Sequence, residues 1–170
     1  MPRGLPSLGS LAVLAILIVV LVTGGGSGDE APEDPTPATV RVTRVVDGDT
    51  IEVDYQGHSE DVRYIGVDTP ESVKPDTPVQ CYALAASHFN ERLVDGEEVR
   101  LDFDAEPRDV YGRLLAYVHL GKTFVNAKLV RRGYARTLTI PPNDRFAALF
   151  DRLEQAAADA GRGLWGECGA

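Results

Sequence analysis

The sequence predicts a mainly β domain of the α+β class: a closed barrel of five short strands with three helices, preceded by a hydrophobic leader. Five stretches alternate apolar and polar residues with the period of two that marks half-buried strands. Three others place apolar residues at helical spacing, and Gly- or Asp-containing turns separate them. At 44% hydrophobic and 25% charged residues, the composition is that of a folded chain rather than a disordered one.

The first 23 residues read as a signal peptide or signal anchor. Leu11 to Val22 are twelve consecutive apolar residues behind a short segment containing Arg3, the pattern of an export signal. Residues 5–23 approach the roughly 20 residues of a spanning helix only by counting Pro6, Ser7, Gly9 and Ser10. Cleavage and a membrane tether therefore both stand, and the protein is expected to be secreted or anchored on the outer face of the membrane. Residues 24–38 carry four acids, three prolines and no apolar face, as in a solvated linker. The folded domain is assigned to residues 39–168, about 130 residues and enough for a single core.

Thr39 to Val46 is rich in β-branched residues alternating with Arg and Thr, the first strand. Asp47-Gly48-Asp49 turns into a second strand over Thr50 to Tyr55, and Gln56-Gly57 turns into a third over Asp61 to Val67. Val79 to Val94 is the first helix: Tyr82, Ala85, Ala86, Phe89 and Leu93 recur at its period, and Asp95-Gly96 ends it. Glu98 to Asp104 and Leu114 to Leu120 are the remaining strands. Thr123 to Arg132 is a short helix stopped by Gly133, and Arg145 to Ala160 a last one stopped by Gly161. Five strands with helices interleaved suit a small barrel of the OB type.

The net charge of −9, with only three Lys among seventeen cationic residues, runs against the basic footprint usual in proteins that neutralise phosphates. If phosphate is the target, the cations must be concentrated locally. The two cysteines, Cys81 and Cys168, form no C-x-x-C pair, and the three histidines are scattered without zinc-like spacing. In an exported protein one disulfide is the expectation, with two free thiols as the alternative.

Three fragments carry chemistry. Val46-Asp47-Gly48-Asp49-Thr50 reads, by itself, as a turn between strands. It is no EF-hand loop: counting from Asp47, Glu52 stands where Gly is required and His58 where Glu is required. Any metal bound here needs ligands from elsewhere. In Arg63-Tyr64-Ile65-Gly66-Val67-Asp68-Thr69-Pro70-Glu71, alternation sets Arg63, Ile65 and Val67 on one strand face, and two acids follow. An Arg in an apolar strand calls for a partner, because interiors seldom accept an unpaired cation. Asp109-Val110-Tyr111-Gly112-Arg113 leads into the last strand. Together the fragments offer hard-oxygen metal ligands, a carboxylate to handle water, and two guanidinium forks that match phosphate oxygens. Phosphodiester cleavage needs that set.

At this point the chain resembles the staphylococcal nuclease (thermonuclease) family, from about Val40 to Trp165. V-V-D-G-D-T at 45–50, R-Y-I-G-V-D-T-P-E at 63–71, Y-G-R at 111–113, L-V-R-R-G at 129–133 and G-L-W at 163–165 occur in the family's order and spacing. The resemblance implies an OB-fold barrel with three helices and Ca²⁺-dependent hydrolysis of DNA and RNA, preferably single-stranded, to 3′-phosphate products by a monomer. Carried over by motif, Asp49, Asp68 and the backbone carbonyl of Thr69 ligate calcium, with Asp47 acting through water. Glu71 orients or deprotonates the attacking water, Arg63 and Arg113 hold the scissile phosphate, and Tyr111 lies beside the nucleotide. Cys81 and Cys168 resemble a disulfide of exported branches of the family. Two segments depart from the pattern. Arg136 to Ile140 lacks the tyrosines that pack on the bound base and sugar in the family's best-known member, which implies a weaker grip; stacking is worth ~1–3 kcal/mol per base. Cys81-Tyr82-Ala83-Leu84-Ala85 replaces the usual start of the first helix. A binding module on the same barrel would lack one of Asp49, Arg63, Glu71 or Arg113, and all four are present.

Overall fold

The computed structural model describes Met1 and residues 35–72 and 78–169; the leader and most of the linker lie outside the described residues. Eight strands and four helices follow in the order β1 (Ala38–Val45), β2 (Thr50–Tyr55), β3 (His58–Tyr64), β4 (Gly66–Asp68), α1 (Ala83–Val94), β5 (Glu98–Asp102), β6 (Leu114–Leu120), β7 (Thr123–Phe124), α2 (Val125–Arg132), β8 (Arg136–Leu138), α3 (Ala147–Asp159) and α4 (Leu164–Glu167). β1 pairs antiparallel with β2 and β5, β2 with β3, and β5 with β6. A single parallel pairing, β3 with β6, closes the ring β1-β2-β3-β6-β5. This is the five-stranded OB-type barrel expected from the alternation.

The alternation works because the inward positions are apolar on every strand. Val42, Ile51, Val53, Val62, Val99, Leu101, Leu114, Ala116 and Val118 are all buried in one cluster. Removing the Val, Leu and Ile side chains among them from water contributes roughly 1.5–3 kcal/mol each. Phe146 and Phe150 cover one end of it, making edge or tilted contacts with Tyr117 and Phe124.

Three expectations are corrected. The third strand does not run unbroken from Asp61 to Val67. It begins at His58 and breaks after Tyr64. Gly66 takes φ +78°, which a side chain rarely adopts, and β4 then leaves the barrel to pair with β8. A Cβ on Gly66 would come within 2.5 Å of the Phe150 ring, so packing from α3 demands the glycine as well. Helix α1 starts at Ala83 rather than Val79, with Tyr82 in the left-handed region. Finally, a one-turn α4 adds to the three expected helices.

Candidate active site

The turn between β1 and β2 presents Asp47 and Asp49 at the end of the barrel where β3 gives way to β4. Asp49 is 4% exposed, and its side chain is fully engaged. Oδ2 accepts hydrogen bonds from Thr69 N at 2.6 Å and Thr69 Oγ1 at 2.8 Å, while Oδ1 lies 3.2 Å from Arg63 Nε. Gly48 makes this possible: a Cβ there would sit 2.6–2.8 Å from the Thr69 side chain. The family resemblance gives Thr69 a role through its backbone carbonyl. Its contacts with Asp49 run through N and Oγ1.

Arg63 is the hub. Its Nη1 donates to the carbonyls of Tyr64 at 2.9 Å and Val67 at 2.7 Å, and its Nη2 donates to Asp68 Oδ1 at 2.9 Å. The guanidinium thus spans the break between β3 and β4 and bridges the two acids, Asp49 and Asp68. Asp68 keeps 54% of its side chain exposed.

Two buried asparagines, which sequence reasoning misses, hold this arrangement. Asn90 of α1 accepts from the Tyr64 hydroxyl at 3.1 Å and donates to the Asp47 carbonyl at 3.0 Å. Asn126 of α2 accepts from Val118 N and donates to the Ile65 carbonyl, both at 2.9 Å. Each is fully buried, and leaving a buried partner unmade costs ~1–3 kcal/mol. The available signal is an Asn inside an otherwise apolar helical repeat. Burial also raises the Tyr64 phenol well above its ordinary value, so it remains a hydrogen-bond donor.

Electrostatically this end of the barrel is short of positive charge. Asp47 is pushed up to about 6, first by burial and then by the neighbouring Asp49. Burial likewise raises Asp49, against the pull of Arg63 and the Thr69 hydrogen bonds. A hard divalent cation fits here, because the donors are carboxylate oxygens and the added charge would relieve acids that burial penalises. Among the described residues no three Asp, Glu, His or Cys side chains gather into a metal site. The ligand set that the family resemblance implies, Asp49 and Asp68 with the Thr69 carbonyl, needs only two carboxylates.

Glu71 lies just beyond, and its backbone is clamped. Its N–H donates to Gln80 Oε1 and its carbonyl accepts from Gln80 N, both at 2.9 Å. The next residue, Cys81, is disulfide-bonded to Cys168. Gln80 is another positioning residue that the sequence does not reveal.

Arg113 stands on the turn before β6. Asp109 shapes that turn: Oδ1 accepts from the N–H groups of Tyr111 and Arg113, and Oδ2 takes Arg113 Nε at 2.7 Å. Arg108, paired with Glu60 at 2.8 Å, also donates to the Gly112 carbonyl. Among the described residues the two Nη nitrogens of Arg113 make no hydrogen bond. Tyr111 is 83% exposed, its ring centroid 5.8 Å from the guanidinium carbon of Arg113.

Arg63, Arg113 and Tyr111 line one cavity of about 610 Å³, with Val110, Leu138 and Ile140 on its wall. The segment lacking aromatics thus offers aliphatic surface in place of stacking rings. Tyr134 offers none there, being sandwiched between Phe89 at 4.1 Å and Tyr82 at 5.4 Å.

A family model described as "Staphylococcal nuclease homologue" matches residues 61–167. The chain is similar to a protein named Thermonuclease from Staphylococcus intermedius, at 49% identity over 124 residues, 73% of this chain and 74% of that protein. A second Thermonuclease, from Staphylococcus hyicus, is 45% identical over 127 residues, 75% of each chain. Endonuclease YncB of Bacillus subtilis is 41% identical over 132 residues, 76% of this chain and 63% of that protein.

Proposed function

The chain belongs to the staphylococcal nuclease family, and on that premise we propose that it is an exported, calcium-dependent nuclease. It cleaves phosphodiester bonds of DNA and RNA, preferably single-stranded, leaving 3′-phosphates. Nuclease chemistry follows from relatives named thermonuclease and endonuclease. The observation that carries the reading is the convergence of Arg63 and Arg113 on one cavity, with Arg63 paired to Asp49 and Asp68, which do not themselves line it.

Asp49, Asp68 and the Thr69 carbonyl would hold Ca²⁺, with Asp47 reaching it through water. Bound there, the ion would polarise a phosphoryl oxygen and offset its charge. Asp68 is exposed and pairs with Arg63 Nη2; were its carboxylate to turn to the ion, Nη2 would be free for a phosphate oxygen. Arg113 comes with both Nη nitrogens ready, steered by Asp109 through Nε alone. The two forks stabilise the charge that builds up as phosphorus becomes five-coordinate. Glu71, fixed through Gln80, orients or deprotonates the attacking water. Tyr111 and the aliphatic wall of Leu138 and Ile140 lie beside the nucleotide. The leader delivers the enzyme outside the cell or tethers it there.

The test compares wild type, Glu71→Gln and Arg113→Ala on denatured DNA, with calcium and with EDTA. Loss of one charge-stabilising donor is expected to cost on the order of 10²–10³ in rate, and chelation to abolish cleavage. Equal, metal-independent rates in all three proteins would sink the assignment.

A further inference from the structure

The acidity of the chain requires its phosphate-binding cations to be gathered locally, and the arginines of the catalytic cavity are one such gathering. A second lies at the far end of β6. Lys122, Lys128, Arg131 and Arg132 surround a concavity of about 380 Å³ whose other lining residues are Thr123, Phe124 and Ala127. No acid lines it, in a chain with 26 Asp and Glu residues. Every salt bridge found among the described residues uses arginines from elsewhere, namely Arg44, Arg63, Arg100, Arg108, Arg113 and Arg145. Lys122, Arg131 and Arg132 are exposed. A structural role explains part of the cluster, because Arg131 and Arg132 occupy the last turn of α2, where cations suit the helix dipole. It does not explain Lys122, which precedes the helix, or Lys128 in its middle. Four like charges around one hollow repel one another, and an anion seated among them removes that cost.

We propose that this hollow is a second phosphate-binding site, which holds the backbone of a polynucleotide whose scissile bond lies at Arg63 and Arg113. The proposal rests on the nuclease reading and extends it. β6 joins the two sites, with Arg113 just before its first residue and Lys122 two residues past its last. Its seven residues span about 23 Å at ~3.3 Å each, a distance that a few nucleotides cover. Single-strand binders of this fold class track a backbone over roughly 4–16 nucleotides. A distal electrostatic grip also supplies affinity where base stacking is lost at Arg136 to Ile140. It favours long strands over short ones without reading sequence.

The experiment uses the full chain and a variant combining Lys122→Gln, Lys128→Gln, Arg131→Gln and Arg132→Gln. Circular dichroism first verifies that both are folded. Binding of a 20-nucleotide single strand is followed by fluorescence anisotropy in EDTA, where no cleavage occurs, and KM is measured with calcium on that strand and on a dinucleotide. The variant should bind the long strand at least about tenfold more weakly at low salt. The slope of log affinity against log salt should fall by about 2–3, at ~0.7 for each phosphate that is no longer neutralised. KM should rise for the long strand only, with dinucleotide cleavage unchanged. Equal long-strand affinity and equal salt slopes in the two proteins overturn the second site while leaving the nuclease intact. So does a wild type whose hollow binds anionic phospholipid vesicles and contributes nothing to oligonucleotide binding. A wild type that cleaves neither substrate brings down the nuclease reading, and this proposal with it.

Discussion

Arg63 and Arg113 face the same cavity, yet they are built into the molecule in opposite ways. Arg63 is 15% exposed and satisfies two carbonyls and two carboxylates across a break in the sheet. Arg113 is 35% exposed and is held by one acid of its own turn, four residues away. The first end of the site is therefore part of the fold, since acids, guanidinium, Thr69 and buried asparagines hold one another. The second is an arm set on a local turn. Chemistry placed on the arm can be altered without disturbing the barrel, whereas chemistry placed at the hub cannot.

The sharpest way to break this contrast is to truncate each arginine. Arg63→Ala leaves Asp49 buried without its cation, and breaking such a pair costs about 3–5 kcal/mol, in addition to the catalytic loss. Arg113→Ala should lose comparable activity while changing stability by no more than ~1 kcal/mol. Urea unfolding of the two variants checks this, and equal destabilisation would refute the division.

The disulfide comes next, because it anchors the hub side through Gln80 and Glu71. Closing 87 residues of chain contributes about 4.6 kcal/mol in the chain-entropy picture, with ~2–4 kcal/mol more usual. Cys81→Ser with Cys168→Ser should lower stability by that amount and reduce kcat. Unchanged kcat in the folded variant would disconnect the bridge from Glu71.

Acid titration should show the smallest effect. Asp47 is raised to about 6 in the folded state from the ordinary ~3.9 of an unfolded chain. Between those values the native state binds more protons than the unfolded one. Its contribution is therefore fully present below about pH 4 and is lost as pH rises through about 6. Metal-free protein should lose stability over this window, and Asp47→Asn should flatten the profile. Chemical denaturation at fixed pH values checks the slope. A wild-type profile that climbs through the same interval would contradict the buried, charge-poor description of the hub.

The strands are legible in the sequence because a half-buried strand must alternate, and each inward residue from Val42 to Val118 declares its burial locally. The candidate residues are legible because their types are chemically demanding and cluster in three short fragments. The break at Ile65-Gly66 is not. Alternation continues smoothly through Ile65 and Val67, while the positive φ of Gly66, its contact with the ring of Phe150 more than eighty residues away and the pairing of β4 with β8 are set only in the folded chain. Asn90, Asn126 and Gln80 escape for the same reason, since a polar side chain shows its purpose only when its distant partners are in place. The second basic cluster is equally hidden, its four cations looking like ordinary surface residues until α2 and the β6–β7 turn set them around one hollow. By itself the sequence determined which elements form and which chemistry they carry, because periodicity and residue type are local. Tertiary structure alone decided which arginine is clamped, which is presented, and where charge accumulates, because burial and pairing depend on residues far apart along the chain.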